Sequence, residues 1–126
     1  MVLTPHITAP LRGAGLPDDH TLLKAGIFNL GFVALRRSDE ALAFVGWWRH
    51  QLRTGALVDF AANLFTDQRW CDLAPAFVPG LHICRDPGYN LAYWNLSQRL
   101  PVEPDGAGWR VAGRPLAFAH FSGYDP

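Results

Sequence analysis

One segment constrains the fold of this chain more than any other, an apolar run at residues 27–35 followed by a capped amphipathic helix. Only Asn29 and Gly31 interrupt the run, which is too short for an independent helix and favours a strand buried on both faces. Ser38 is a good N-cap, and two acidic residues after it suit the positive end of a helix dipole. Apolar residues then recur at helical spacing, at Ala41, Leu42, Val45, Trp48 and Leu52.

The other segments predict a mixture of strands and helices. In chain order, we expect a strand at residues 2–8, a loop at 9–23, a helix from Asp59 through Phe65, a helical turn in "DQRWCDL" capped by Thr66 and ending before Pro75, a strand in "FVPGLHICRD", and a hairpin with strands at 109–111 and 116–121 and a turn at Ala112 and Gly113. This order predicts an α/β fold with a mixed sheet and flanking helices.

Length and composition narrow the class of protein. A chain of 126 residues suits a single domain, 1–126, and a formal net charge of +0 with 17% charged residues excludes a polybasic nucleic-acid surface. No apolar run approaches the roughly 20 residues of a membrane span, and no secretory leader is evident, so we expect a cytoplasmic protein without a transmembrane segment.

Two short stretches combine amide and acid side chains with glycine or a helix start. In "IFNLGF", Asn29 needs hydrogen-bond partners and Gly31 leaves room for a ligand, although a β-bulge with Asn29 bonded to backbone is an equal alternative. In "FTDQRW", Asp67 and Gln68 offer a carboxylate and an amide that can bind hydroxyls, or else form an ordinary acidic first turn.

Two later stretches place polar residues among aromatic rings. "DPGYNLAYWNL" carries Asn90 and Asn95, whose amides can bind hydroxyls while rings cover apolar sugar faces; a turn leading into packed aromatics is the alternative. In "HFSG", the imidazole of His120 can bind a divalent cation and Gly123 can approach a phosphate, although a single histidine is more often structural. His6, in "TPH", is a further pocket candidate.

The order of these four stretches resembles that of retaining glycosyltransferases with the GT-A fold: N-x-G, a helix opening with D-Q, Asn and Trp in an aromatic turn, and a final H-F-x-G. The chain is similar to the glycogenin and lipopolysaccharide galactosyltransferase type, and to a bacterial group ending in "DPGYNxAYWNL…PLxFFHFSGxDP". The resemblance extends from Leu3 to Pro126.

The resemblance implies transfer of a sugar, with retention, from a nucleotide-diphosphate donor bound through Mn²⁺ or Mg²⁺ to an unknown acceptor. By position, His120 matches the late histidine of the metal and diphosphate site, and Gly123 lies near the phosphates. Asp67 and Gln68 match the catalytic pair beside the donor sugar. Asn29 and Gly31 match the stretch that lines the same pocket, and Asn90 and Asn95 are weaker matches to donor or acceptor contacts.

One departure from the family pattern changes the expectation. No Asp-x-Asp occurs, so the chain looks like the C-terminal portion of a larger catalytic domain, and we expect weak metal binding and no activity from it alone. The unpaired sheet edge that results would favour a homodimer. The alternative function is a non-catalytic carbohydrate-binding or interaction domain derived from the same fold.

Overall fold

The computed structural model describes residues 1–13, 15 and 17–122, and this part of the chain has a mixed α/β architecture of small sheets and helices. The strands are β1 (Val2–Pro5), β2 (Phe28–Ala34), β3 (Val58–Asp59), β4 (Leu64–Phe65), β5 (His82–Ile83), β6 (Val102–Asp105), β7 (Gly108–Val111) and β8 (Arg114–Pro115). The α-helices are α1 (Asp19–Ala25), α2 (Asp39–Gly55) and α3 (Ala74–Phe77), and two 3₁₀ helices span Gln68–Leu73 and Tyr93–Gln98.

The first sheet carries the site residues and has the order β2-β1-β5. β1 is antiparallel to β2 and parallel to β5. Leu3 pairs with Val33 while the next residue, Thr4, pairs with Asn29, so β2 bulges between these two positions. The bulge contains Gly31 and turns part of β2 out of regular pairing.

Helix α2 confirms the most strongly patterned prediction. The Ser38 hydroxyl accepts a hydrogen bond from the N–H of Ala41 at 3.3 Å, and Asp39 and Glu40 occupy the first turn. Phe44 projects from this helix into the main core. The other buried members of that core are Leu3, Phe28, Cys71, Ala74 and Val78.

The helix predicted from Asp59 through Phe65 is wrong, because this segment forms the β3–β4 hairpin. The Asp59 carboxylate accepts hydrogen bonds from the backbone N–H groups of Ala61 and Ala62 and so stabilises a turn. Asn63 then adopts a positive φ of 57°, which a right-handed helix does not allow.

The helical turn predicted in "DQRWCDL" is confirmed as the first 3₁₀ helix, which ends at Leu73, before Pro75 as predicted, but Thr66 does not cap it. Asp67 occupies the N-cap position without a side-chain bond to the backbone. The chain continues from Leu73 directly into α3, since proline is tolerated in the first turn of a helix.

Three further predictions need correction. The loop predicted at 9–23 overlaps α1, whose N-cap Asp18 accepts a bond from the N–H of Thr21 at 2.7 Å. β2 is not buried on both faces, because its second half alternates between half-buried and exposed residues. The strand predicted at 116–121 is an irregular segment with a single parallel bridge, between Ala119 and Leu91. The turn at Ala112 and Gly113 is confirmed.

No helix within the described residues combines the length and the apolar composition that crossing a bilayer needs.

Candidate functional site

Side chains from distant parts of the chain meet beside the β2 bulge in one hydrogen-bonded group, which we call the polar cluster. Its members are Thr4, His6, Asn29, Gln68, Asn90 and His120. Four of them were proposed from the sequence as site residues and His6 as a further pocket candidate, and up to 91 positions separate the bonded partners. The fold therefore brings all four polar stretches together by direct side-chain contact.

Asn29 is the hub of the polar cluster. Its Oδ1 accepts hydrogen bonds from the N–H of Gly31 at 2.9 Å, from Asn90 Nδ2 at 2.9 Å and from His120 Nδ1 at 3.1 Å. Because a backbone N–H can only donate, the bond from Gly31 identifies the accepting end of this amide. The β-bulge alternative for "IFNLGF" is confirmed, with Asn29 bonded to side chains of other segments as well as to backbone, and ligand binding there stays a prediction.

This arrangement determines the tautomer of His120. Asn29 Oδ1 has no proton to give, so we assign the ring proton of His120 to Nδ1. The other ring nitrogen, Nε2, is then left with a lone pair in the neutral imidazole. A fixed imidazole with its lone pair directed away from its hydrogen-bonded side can accept a proton or bind a cation.

His6 and Gln68 close the other side of the polar cluster. His6 Nδ1 donates to the carbonyl of Gly26 at 2.8 Å, so its Nε2 accepts from Asn29 Nδ2 at 3.4 Å and Gln68 Nε2 at 3.5 Å. Burial lowers the pKa of His6 from the ordinary value of 6.5, and the nearby His120 acts in the same direction. His6 is therefore neutral at pH 7, and it serves to orient the two amides.

Gly31 is required for this packing. A Cβ atom at this position would lie 2.2 Å from His120 Nδ1 and 2.6 Å from Asn90 Oδ1, far inside van der Waals contact. The sequence singled out Gly31 as a residue that leaves room for a ligand. In the structure the room is taken by the imidazole and the amide of the polar cluster itself.

Asn90 and Asn95 have different roles. Asn90 has a positive φ of 58°, a conformation that asparagine tolerates, and its Nδ2 also donates to Thr4 Oγ1 at 3.0 Å. Asn95 uses its Oδ1 to accept from the N–H of Ala92 and its Nδ2 to donate to the carbonyl of Asn90. Asn95 therefore holds the loop that carries Asn90, and its amide is occupied by backbone rather than offered to a ligand.

Asp67 is not joined to the polar cluster by the hydrogen bonds of its carboxylate. Its Oδ1 accepts from the hydroxyl of Thr66 at 3.1 Å, and its carbonyl accepts from Trp48 Nε1 at 3.0 Å. Burial raises the pKa of the neighbouring Cys71 thiol to about 12, and Asp67 adds to that effect. The predicted catalytic pair is thus divided, with Gln68 inside the polar cluster and Asp67 beside it.

The atoms that could ligate a metal ion at the site do not fit Mn²⁺ or Mg²⁺. These ions prefer several oxygen ligands, carboxylates above all, whereas the polar cluster offers imidazoles, amides and a hydroxyl. Within residues 1–13, 15 and 17–122, no group of three or more His, Cys, Asp or Glu side chains could hold a metal ion. His120 is the one residue of the predicted metal site that the structure describes in this region, because Gly123 lies outside the described residues.

A concave surface of about 630 Å³, which we call the apolar cavity, adjoins the polar cluster. Three segments form its walls: residues 91–96, the sheet of β6 and β7, and residues 116–122. His120 belongs to both the apolar cavity and the polar cluster, so it connects an uncharged polar centre with an apolar surface.

Two buried polar atoms near His120 have no hydrogen-bond partner within the described part of the chain, Asn90 Oδ1 and Trp94 Nε1. The Trp94 ring meets the His120 ring edge-on, with centroids 5.3 Å apart, and it also contacts His6 at 5.7 Å. Buried polar atoms without partners are costly and often indicate a binding role. Here they comprise one acceptor and one donor.

The sequence did not indicate several residues that position the polar cluster. Thr4 bonds to both asparagines, as its hydroxyl donates to the carbonyl of Asn29 at 3.1 Å. Asp72 accepts from the N–H of Ile27 at 2.7 Å and so ties the first 3₁₀ helix to the start of β2. The buried Arg99 donates to the carbonyls of residues 86, 87 and 89, just before Asn90. No local pattern marks such residues, because their partners are distant backbone groups.

Comparison with known proteins gives one informative match. The chain is 32% identical over 103 residues to the uncharacterized protein YfnD of Bacillus subtilis (strain 168). The alignment covers 80% of this chain and 33% of the relative, so the chain spans about a third of that protein's length. No family model matches the sequence, and no solved structure matches it significantly.

Proposed function

We propose that the polar cluster is the sugar-side part of a retaining glycosyltransferase site in a domain of GT-A type, and that its donor is a nucleotide-diphosphate sugar. The observation that carries this proposal is the bonded group of Asn29, Gln68, Asn90 and His120. The resemblance of the sequence motifs predicts that these residues share one site, whereas their local patterns alone do not predict that they meet.

The chemistry of the polar cluster suits a sugar. Its members are neutral donors and acceptors, which match hydroxyl groups better than they match a charged ligand. The two unpartnered atoms, Asn90 Oδ1 and Trp94 Nε1, are themselves buried, so sugar hydroxyls would reach them only if neighbouring side chains move on binding.

The reaction exchanges one bond at the anomeric carbon for another. The bond to the diphosphate oxygen breaks, a bond to the acceptor oxygen forms, and the proton of the acceptor hydroxyl passes to the departing diphosphate oxygen. Positive charge develops on the sugar ring, and the Gln68 carbonyl and the Asp67 carboxylate would stabilise it from the side of the first 3₁₀ helix. His120, held by Asn29, would lie on the diphosphate side.

A divalent cation would supply charge neutralisation at the diphosphate, but the described residues do not assemble a site for it. His120 could contribute at most one ligand. We therefore expect the chain to bind a donor weakly and not to release nucleoside diphosphate from it at enzymatic rates.

A thermal-shift experiment tests the proposal. UDP-glucose, UDP-galactose and GDP-mannose at millimolar concentration, with and without MnCl₂, are added to the chain and to two variants. A ligand present at ten times its dissociation constant adds about 1.4 kcal/mol to the free energy of unfolding. For a domain of this size we expect a rise of about 5 °C in melting temperature.

Two histidine variants distinguish ligand binding at His120 from a loss of binding that any histidine substitution would cause. His120→Ala should abolish the shift, because it removes the residue between the polar cluster and the diphosphate side. His82→Ala is the matched control, since His82 is an exposed imidazole on β5. If none of the three nucleotide sugars stabilises the wild-type chain, or if both variants respond equally, the transferase proposal is wrong.

A carbohydrate-binding domain without catalysis is the second candidate, and the position of Asp67 favours it. The only carboxylate of the predicted catalytic pair is bonded to Thr66, outside the polar cluster. Such a domain would respond to glucose or galactose alone as strongly as to the nucleotide sugar. The same thermal-shift series therefore discriminates between the two functions.

A further inference from the structure

The apolar cavity differs from the polar cluster in the polarity of its walls. Among the described residues that form its walls, none carries a formal charge. Most of the wall is aliphatic or aromatic, with Tyr93, Leu96, Val102, Trp109 and Leu116 as its larger members. Its volume of about 630 Å³ is in the usual range for small-molecule sites, about 300–1,000 Å³.

Two large aromatic rings are exposed to solvent at the apolar cavity. Tyr93 is 65% exposed and Trp109 is 54% exposed, although burying a large aromatic side chain is strongly favourable. Large rings exposed around a concave surface are typical of binding sites rather than of scattered surface residues. The uncharged wall argues against a phosphate or a charged peptide as the occupant.

His120 belongs to both the apolar cavity and the polar cluster, so a ligand bound in the cavity would have its polar group at this residue. Its ring lines the apolar cavity, while its Nδ1 is bonded to Asn29 in the polar cluster. The N–H of His120 donates to the carbonyl of Leu91 at 2.8 Å, which fixes this residue against the cavity wall. Of the members of the polar cluster, a ligand seated in the apolar cavity would therefore meet His120.

We propose that the apolar cavity binds the apolar aglycone of the sugar acceptor, a neutral glycoside whose sugar faces His120 and whose alkyl chain packs against Tyr93 and Trp109. The identification of this ligand as an acceptor rests on the proposed function. The binding itself requires neither a nucleotide nor a metal ion, so it can be tested separately.

A series of alkyl glucosides provides the probe. Methyl, hexyl and octyl β-D-glucopyranoside, each below its micelle concentration, are titrated into the chain by isothermal calorimetry. Burial of a methylene group is worth about a fourfold change in affinity. We expect octyl glucoside to bind at least about tenfold more tightly than methyl glucoside, with the gain per methylene falling once the chain fills the cavity.

The variant Tyr93→Ala/Trp109→Ala should lose this dependence on chain length. Both side chains are more than half exposed, so their removal leaves the core intact, and an unchanged melting temperature verifies it. Phe60→Ala is the matched control, because Phe60 is 52% exposed and lies on the β3–β4 hairpin outside the cavity. It should keep the full dependence.

Three results would overturn the inference. These are equal binding of octyl and methyl glucoside, a double variant that keeps the gain, and a Phe60→Ala variant that loses the gain to the same extent, which would indicate adsorption to any exposed ring. Loss of self-association in the double variant without any glucoside binding would show instead that a second copy of the chain covers this surface. Failure of the nucleotide-sugar test with success here would leave a glycoside-binding protein.

Discussion

Gly31 shows at the scale of a single residue how the polar cluster is built. Its Cα packs directly against His120 from the last segment and Asn90 from the aromatic turn, with no space for a side chain. Asn29, two positions earlier, bonds to both of these residues through one oxygen. The pair Asn29 and Gly31 therefore acts as one unit. The Asn29 amide bonds to His120 and Asn90, and Gly31 leaves the space that these two side chains occupy.

Replacing Gly31 with alanine tests this packing. The new methyl group would overlap His120 Nδ1 and Asn90 Oδ1, and we expect the free energy of unfolding to fall by about 1–3 kcal/mol, as for other overpacked positions. Urea denaturation measures the change. Gly46→Ala is the control of opposite sign: Gly46 lies within α2 with open space around it, and alanine should stabilise the helix by about 1 kcal/mol.

Equal effects from the two glycine variants would contradict the close approach of His120 to β2. A destabilised Gly31→Ala that still responds to nucleotide sugars like the wild type would instead show that the packing is structural and that ligand binding lies elsewhere.

At the scale of elements, local sequence signals correctly predicted a helix and a turn whose hydrogen bonds join residues close together in the chain. Ser38 and the periodic apolar residues predicted α2, and the turn at Ala112 and Gly113 predicted the β7–β8 hairpin. The failures have local causes as well. Asp59 stabilises a turn rather than a helix, and Asp18 caps α1 inside a segment whose prolines and glycines predicted a loop.

The β7–β8 turn offers a test of this local control. Ala112 has a φ of 46° and Gly113 a φ of 75°, the two positive values of a type I′ turn, in which asparagine is strongly preferred at the first position. We expect Ala112→Asn to raise the free energy of unfolding by about 0.5–1 kcal/mol, by the usual cost of a left-handed conformation in alanine.

The neighbouring β6–β7 turn supplies the control for that variant. Its positive φ belongs to Gly106 and not to Ala107, so Ala107→Asn should bring no comparable gain. Thermal and urea denaturation of both variants give the comparison. If Ala107→Asn stabilises the chain as much as Ala112→Asn, the effect does not come from turn geometry.

At the scale of the whole molecule, the chain exposes more surface than its mass predicts. Its accessible surface is 8201 Å², whereas a compact monomer of 14.0 kDa exposes about 6,700 Å². The sheet β2-β1-β5 ends at β2, where Val33 is 37% exposed. An edge strand with an exposed apolar residue is a surface on which two copies can pair.

We expect the wild-type chain to form a dimer at micromolar concentration and Val33→Lys to weaken it at least tenfold, because a charged edge residue opposes strand pairing. Sedimentation velocity measures the association. Leu42→Lys, on the exposed face of α2, is the matched control and should associate like the wild type. A wild-type chain that stays monomeric at every accessible concentration would contradict the expectation.

The sequence by itself determined the α/β class, helix α2, the β7–β8 turn and the short list of polar residues that form most of the candidate site, because these depend on periodicity, capping and side-chain chemistry. Only the tertiary structure decided which of those residues meet. It joined Gln68 and His120 to Asn29, placed Asp67 outside, occupied Asn95 with backbone, bonded the pocket candidate His6 to Asn29 and Gln68, and added Thr4. The physical reason is that a hydrogen bond between segments up to 91 residues apart depends on the bulge in β2, on carbonyls held by Arg99 and on the N–H of Ile27 held by Asp72, none of which leaves a local pattern.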